Sequence, residues 1–134
     1  ALRLTEAGGE WEGLAEALHA AARAASPQDE ERAGELLFEE GKIRESRLND
    51  FWGAVDCYYQ ALERLPEKDE LVFALVRASL QSERENDVEA LVRRTTFAQR
   101  ASAERLKALA QLQRRLTAPQ LFDTLLRLAD ATQD

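Results

Sequence analysis

Nowhere does the chain alternate apolar and polar residues long enough to make a half-buried strand, and that absence constrains the fold more than any motif in it. It holds a single isoleucine and few consecutive β-branched residues, while Ala, Leu, Glu and Arg are in excess. Apolar residues make up 45% of the 134 and charged residues 32%, with only six glycines and three prolines, a balance that favours helices throughout. This length suffices for one domain with a real core. The fold class expected is therefore all-α.

Capping residues and helix breakers divide the chain into about seven helices. Gly8-Gly9 is expected to end a short apolar tail, after which residues 10 to 25 place Trp11, Leu14, Leu18, Ala21, Ala22 and Ala25 on one face. Ser26 as N-cap, Pro27 at the first helical position and Asp29, Glu30 and Glu31 in the first turn open a second helix reaching about Arg47. Asn49-Asp50 caps a third, which runs to Leu65 because Pro66 forbids continuation. From about Asp69, ELVFALVRASLQ forms a helix apolar enough to be covered on more than one side, and SEREND follows as a polar turn. A helix over about 87 to 99 comes next, and another begins near Ser102. Thr117, with Gln120 three residues on, looks like a capping box opening a last helix that buries Leu121, Phe122, Leu125, Leu126 and Leu128. Turns this short join antiparallel neighbours, so consecutive helices should form hairpins.

A string of hairpins is either a bundle or a solenoid, and internal repetition decides between them. Shifting the chain by 77 residues lays Trp11 on Val88, Glu12 on Glu89, Leu14 on Leu91 and Ala21 on Ala98. With a gap of four in the turn, Glu31, Arg32 and Leu36 fall on Glu104, Arg105 and Leu109. Such a period is two units of about 38 residues, each a helical hairpin. Within one of them, AVDCYYQALERLP (Ala54 to Pro66) resembles the second helix of a tetratricopeptide repeat: Ala54, Tyr58, Ala61 and Pro66 fit its small, aromatic, small and proline positions, and Leu37 and Gly41 match its first helix. Trp11-Glu12-Gly13-Leu14, Glu31-Arg32-Ala33 and Ala54 to Leu62 are similar to lines of degenerate bacterial tandem repeats. Residues 33–66 match best, with more divergent hairpins at 1–32, 67–100 and 101–134.

The resemblance implies a right-handed superhelix of antiparallel hairpins over 1–134. It also implies a protein–protein interaction or scaffold module holding a peptide or helix of a partner in a concave groove lined by first helices. Carried onto this chain, the groove positions are Phe38, Lys42 and Glu45, with Phe73 and Arg77 from the next first helix. Aromatic anchors there would supply apolar area, and Lys42 with Arg77 would hold an acidic side chain. Ala54 and Ala61 admit the paired helix, Gly41 lets it come near, and Tyr58, with Trp52 or Tyr59, is expected to wedge between successive hairpins.

Catalysis finds little support. His19 is the only histidine and Cys57 the only cysteine, and they lie far apart in sequence. A structural histidine and a buried inert thiol are the expectations. Glu39 and Glu40 are adjacent on a helix, face different directions and read as a solvated face. No metal site, cofactor motif or glycine-rich phosphate loop is present, so no cofactor is expected.

A formal charge of −7 argues against nucleic acid as a partner. The charge is unevenly spread: residues 1 to 40 hold ten acids and three bases, whereas 93 to 115 hold seven bases (Arg93, Arg94, Arg100, Arg105, Lys107, Arg114 and Arg115) against Glu104 alone. Self-association through the Leu2–Leu4 tail and the Leu121–Leu128 helix is the alternative reading, and a regulatory or sensor region fused to an enzyme outside the chain is another. With no apolar run of membrane-spanning length and no leader, a cytoplasmic location is expected. The absence of methionine even at position 1 fits an internal fragment or a processed form.

Overall fold

The computed structural model describes residues 2–99 and 101–132, with side chains from residue 9 onward. Among these residues are seven α-helices and no strand: α1 (Leu2–Ala24), α2 (Glu30–Ser46), α3 (Phe51–Arg64), α4 (Asp69–Ser82), α5 (Glu85–Phe97), α6 (Ala103–Leu116) and α7 (Leu121–Thr132), with one 3₁₀ turn at Pro27–Asp29. The chain divides into two compact units, Ala1–Leu65 and Pro66–Asp134. The break falls at Pro66, the residue expected to stop the 33–66 repeat.

In the first unit α2 packs against both α1 and α3. Gly8-Gly9 does not end a tail, because α1 runs straight through the pair. A helical glycine costs only about 1 kcal/mol relative to alanine, too little to stop a helix of this length. The inward face of α1 is also rotated from the expected one. Ala15 and Ala22 are buried, Trp11 and Leu18 are half-buried, and Leu14 is 44% exposed. Small side chains at the contact let α2 approach closely. The side chains of Leu2 and Leu4 lie outside the described residues.

Ser26 has the extended backbone of an N-cap (φ −69°, ψ 159°), yet its hydroxyl makes no capping bond. Its carbonyl instead accepts from Asp29 N at 2.8 Å, closing the 3₁₀ turn before α2. The cap expected on α3 is made: Asp50 Oδ1 accepts from Gly53 N at 2.9 Å.

Tyr58 is fully buried, and its ring and hydroxyl both meet α2. Its ring lies on Gly41, where a Cβ would come 2.5 Å from Cε1. The Phe38 ring meets it edge-on, with centroids 5.8 Å apart and planes at 68°. Its hydroxyl donates to Glu45 Oε1 at 2.7 Å. Trp52, expected as another wedge, is 60% exposed, and Tyr59 is half-buried.

In the second unit α4 packs on α5 and also on α6, and α6 packs on α5 and α7. α4 is covered on several sides, burying Leu71, Val72, Ala74, Leu75 and Val76. SEREND is not a loop, for only Glu83 and Arg84 separate α4 from α5. Glu83 takes the left-handed conformation (φ 58°), Arg84 N donates to Ser79 O at 2.9 Å, and Glu85 and Asp87 enter the first turn of α5.

Thr117 likewise belongs to the helix before it. It ends α6 at φ 53°, with its N–H on Arg114 O at 3.2 Å and that of Ala118 on Gln113 O at 2.9 Å, so it opens no capping box. The last helix buries only Thr124. Leu121, Leu125 and Leu128 are half-buried, while Phe122 and Leu126 are 69% and 52% exposed. Packing on α6 covers one side of α7 and leaves the other to solvent.

Gly41→Ala tests the α2–α3 contact. Helix propensity favours alanine by about 1 kcal/mol, and crowding the buried ring costs about 1–3 kcal/mol. A net loss of about 1 kcal/mol is expected in urea denaturation followed by tryptophan fluorescence. Both tryptophans, Trp11 and Trp52, lie in the first unit, so the signal reports that unit. A gain in stability would show that the ring yields.

Candidate functional site

The most buried polar cluster of the first unit forms around Glu40, a residue expected on a solvated face. Its side chain is 1% exposed. Oε1 lies 3.0 Å from His19 Nδ1 on α1, and Oε2 accepts from Arg44 Nε at 2.7 Å, one turn along α2. Arg44 Nη1 reaches Asp50 Oδ2 at 3.3 Å, tying the cluster to the cap of α3. Burial would pull Arg44 down, but the hydrogen bond and charge of Glu40 outweigh it and hold the guanidinium above its ordinary value.

Cys57 of α3 adjoins the same cluster and is 4% exposed. Burial pushes its thiol far above the ordinary range, and the neighbouring Glu40 carboxylate adds to the shift. His19 and Cys57, distant in sequence, thus share a neighbourhood, with the Glu40 carboxylate bonded to the imidazole. A thiolate nucleophile has no support in that setting. The cluster joins three helices electrostatically.

The second unit carries a counterpart. Arg105 of α6 has no exposed surface, and it donates from Nη1 to Asp69 Oδ1 (3.2 Å), from Nη2 to Pro66 O (2.6 Å) and from Nε to Thr96 Oγ1 (3.2 Å). Ser102 Oγ donates to Asp69 Oδ2 at 3.0 Å while also capping α6. Burial pulls the Arg105 guanidinium below its ordinary value, and Asp69 works in the opposite direction. One residue of the basic run 93–115 is therefore an internal strut. Arg93 and Arg115 pair with Glu89 (3.4 Å) and Glu85 (3.2 Å), and Arg100 lies outside the described residues.

Of the residues carried over as groove positions, Phe38, Lys42 and Glu45 lie together on α2 of the first unit, and Phe73 and Arg77 lie on α4 of the second. Phe38 is 7% exposed, with Tyr58 on one side and the Lys42 ammonium 4.5 Å above its ring, so its face is already occupied inside the first unit. Lys42 is exposed and pairs with Glu39 at 2.8 Å, and half-buried Glu45 holds the Tyr58 hydroxyl. Phe73 is half-buried and Arg77 exposed, both on α4 of the second unit. Among the repeat positions, Leu37, Gly41, Ala54, Tyr58 and Ala61 are buried, and Pro66 is exposed.

A surface that the sequence offered only in the alternative, self-association reading of the Leu121–Leu128 helix lies in the second unit. A cleft of about 380 Å³ has an apolar floor of Leu80, Ala110, Leu125 and Leu128 and a rim of Lys107, Arg114 and Arg115. No carboxylate lines it, and Lys107 and Arg114 have no ion-pair partner among the described residues. Phe122 and Leu126 stand exposed on α7, the helix that supplies Leu125 and Leu128. The cationic rim supplied by α6 was not part of either sequence reading of α7.

No group of three or more His, Cys, Asp or Glu side chains suited to a metal occurs among the described residues, and no helix there is long and apolar enough to cross a membrane. No family model, curated protein or solved structure matches the chain. The likeness to tetratricopeptide repeats rests on the residues of the chain alone.

The thiol yields a pH prediction. Below the ordinary thiol pKa of about 8.5 both states keep the proton. Above it the unfolded chain sheds a proton that the folded chain retains, so stability falls as pH rises. Tryptophan-monitored unfolding between about pH 8 and 10 should show a steeper loss in the parent chain than in Cys57→Ala, by up to about 1.4 kcal/mol per pH unit. Parallel slopes, or a folded-state thiol that reacts at once with a disulfide reagent, would contradict the assignment.

Proposed function

We propose that the chain is a protein–protein interaction module of helical hairpins, similar to tetratricopeptide repeats, with no chemistry of its own. The observation that carries this reading is α7. It is a helix of twelve residues rich in Leu and Phe that buries only Thr124 and presents Phe122 and Leu126 to solvent beside a cleft of apolar floor and cationic rim. An exposed apolar patch of this kind marks a binding surface. The packing of α4 on both α5 and α6 supports the repeat reading, since stacked hairpins place a first helix against the next first helix.

The occupant that fits is a peptide or helix of a partner protein carrying apolar side chains flanked by carboxylates. Apolar groups would cover Phe122, Leu126 and the floor of the cleft, and acids would meet Lys107 and Arg114. On this reading the partner meets α6 and α7, and Phe38, 7% exposed in the first unit, offers it little surface.

Replacing Phe122 and Leu126 together by glutamate tests the reading. Because both side chains are exposed, helix content by circular dichroism should not change. Affinity capture from source-cell extract with quantitative mass spectrometry should lose at least tenfold of a specific partner, about 1.4 kcal/mol or more. That partner's binding segment should combine apolar and acidic residues, and its retention should fall as salt rises. Identical capture by both chains would overturn the proposal. Loss of a concentration-dependent dimer in light scattering would reassign the surface to self-association.

A further inference from the structure

The first unit holds a second cavity, of about 370 Å³, at the end of α1, the start of α2 and the end of α3. Small residues, Ala22, Ala25 and Ala33, line part of it, and the polar lining is His19, Arg23, Ser26, Glu30, Gln60 and Arg64. The hydrogen bonds around it leave an excess of donors. Arg64 Nη1 donates to Gln60 O at 3.0 Å, but its buried Nε makes no hydrogen bond and has only an ion pair at 3.7 Å with Glu30 Oε2, a side chain that is 61% exposed. A buried donor left this way is rare in folded proteins, and a water molecule or an anion is the partner that such a donor takes.

The neighbouring donors open toward solvent, Arg23 and Ser26 being exposed and Gln60 half-buried. Arg23 has no ion-pair partner among the described residues, Ser26 makes no capping bond with its hydroxyl, and the Gln60 amide group has no hydrogen bond among them. The imidazole of His19 is fixed through Nδ1 to Glu40, which leaves Nε2 as an acceptor when neutral and a further donor when protonated. Against these stands one carboxylate in the lining, Glu30, whose side chain is 61% exposed. A cation would meet two guanidinium groups, and an apolar ligand would strand every donor. A small oxyanion matches both the charge and the donor geometry, because guanidinium groups hold planar or tetrahedral oxyanions through paired N–H bonds.

We infer that this cavity binds a small oxyanion, a phosphate or carboxylate group, between Arg23 and Arg64 with Ser26 and Gln60 completing its hydrogen bonds. The site is separate from the α7 surface and does not depend on it.

The test is an NMR titration of the whole chain with sodium phosphate, sodium acetate and sodium chloride in parallel at constant ionic strength. The backbone amides of residues 23–30 and the Arg64 Nε–H should shift saturably with phosphate, acetate or both, with a dissociation constant on the order of millimolar. Saturation by phosphate alone assigns a phosphate ligand, and by acetate alone a carboxylate. Arg23→Gln, an exposed change that should leave helix content intact, should weaken binding about tenfold, as expected for one charge-assisted hydrogen bond. Arg64→Lys keeps the charge and lacks the Nε–H, and should weaken it as well. Arg94→Gln in the other unit should change nothing. Shifts that chloride reproduces, that never saturate, or that survive Arg23→Gln unchanged would overturn the inference.

Discussion

Arg105 is a charge with no access to water, and the second unit is arranged around it. An ionised group in that position costs several kcal/mol unless each of its donors is met. Asp69 at the start of α4, the Pro66 carbonyl just before it and Thr96 near the end of α5 meet one N–H on each of its three nitrogens. None can move without stranding the guanidinium, so the starts of α4 and α6 and the end of α5 are fixed in one register. Leucine and valine packing supplies the cohesion of this unit but tolerates sliding. The directional bonds of one arginine do not.

The first unit solves the same problem with opposite sign. Glu40 is the buried charge, and it draws His19 from α1 and Arg44 from its own helix, with Asp50 joining from the cap of α3. Beside this cluster the Tyr58 ring lies on Gly41, which fixes how closely α2 and α3 approach. Both centres draw together residue types that catalytic sites also use, a histidine, a cysteine and a buried arginine. In each the buried charge is paired inside the fold.

What could be read from sequence follows the same physics. Helix class and most boundaries were legible because prolines, Asp50 and Ser102 act locally on the backbone. The repeat residues Ala54, Tyr58 and Ala61 are buried as expected, since small and aromatic residues at helical spacing seldom stay outside. Glu40 was misread because a lone carboxylate looks solvated until its partner from another helix is known. The spacing Ala33, Leu37, Glu40 was the available signal, for it puts Glu40 on the face that carries two buried apolar residues. The two sequence readings of α7, buried helix or uncovered surface, stayed open for the converse reason: amphipathic periodicity says that a helix has an apolar face and does not say whether anything covers it. Turns at Glu83 and Thr117 were also hidden, because neither residue type advertises the left-handed conformation that ends α4 and α6.

The central claim is that the buried guanidinium sets the register of the second unit, and a double-mutant cycle on Asp69 and Arg105 tests it most directly. Urea unfolding followed by circular dichroism, with tryptophan fluorescence reporting the first unit separately, gives the four stabilities. Asp69→Ala alone should cost about 2 kcal/mol by leaving a buried charge short of its partner, and the same change in an Arg105→Met background should cost under about 0.5 kcal/mol. Equal costs in the two backgrounds would contradict the account.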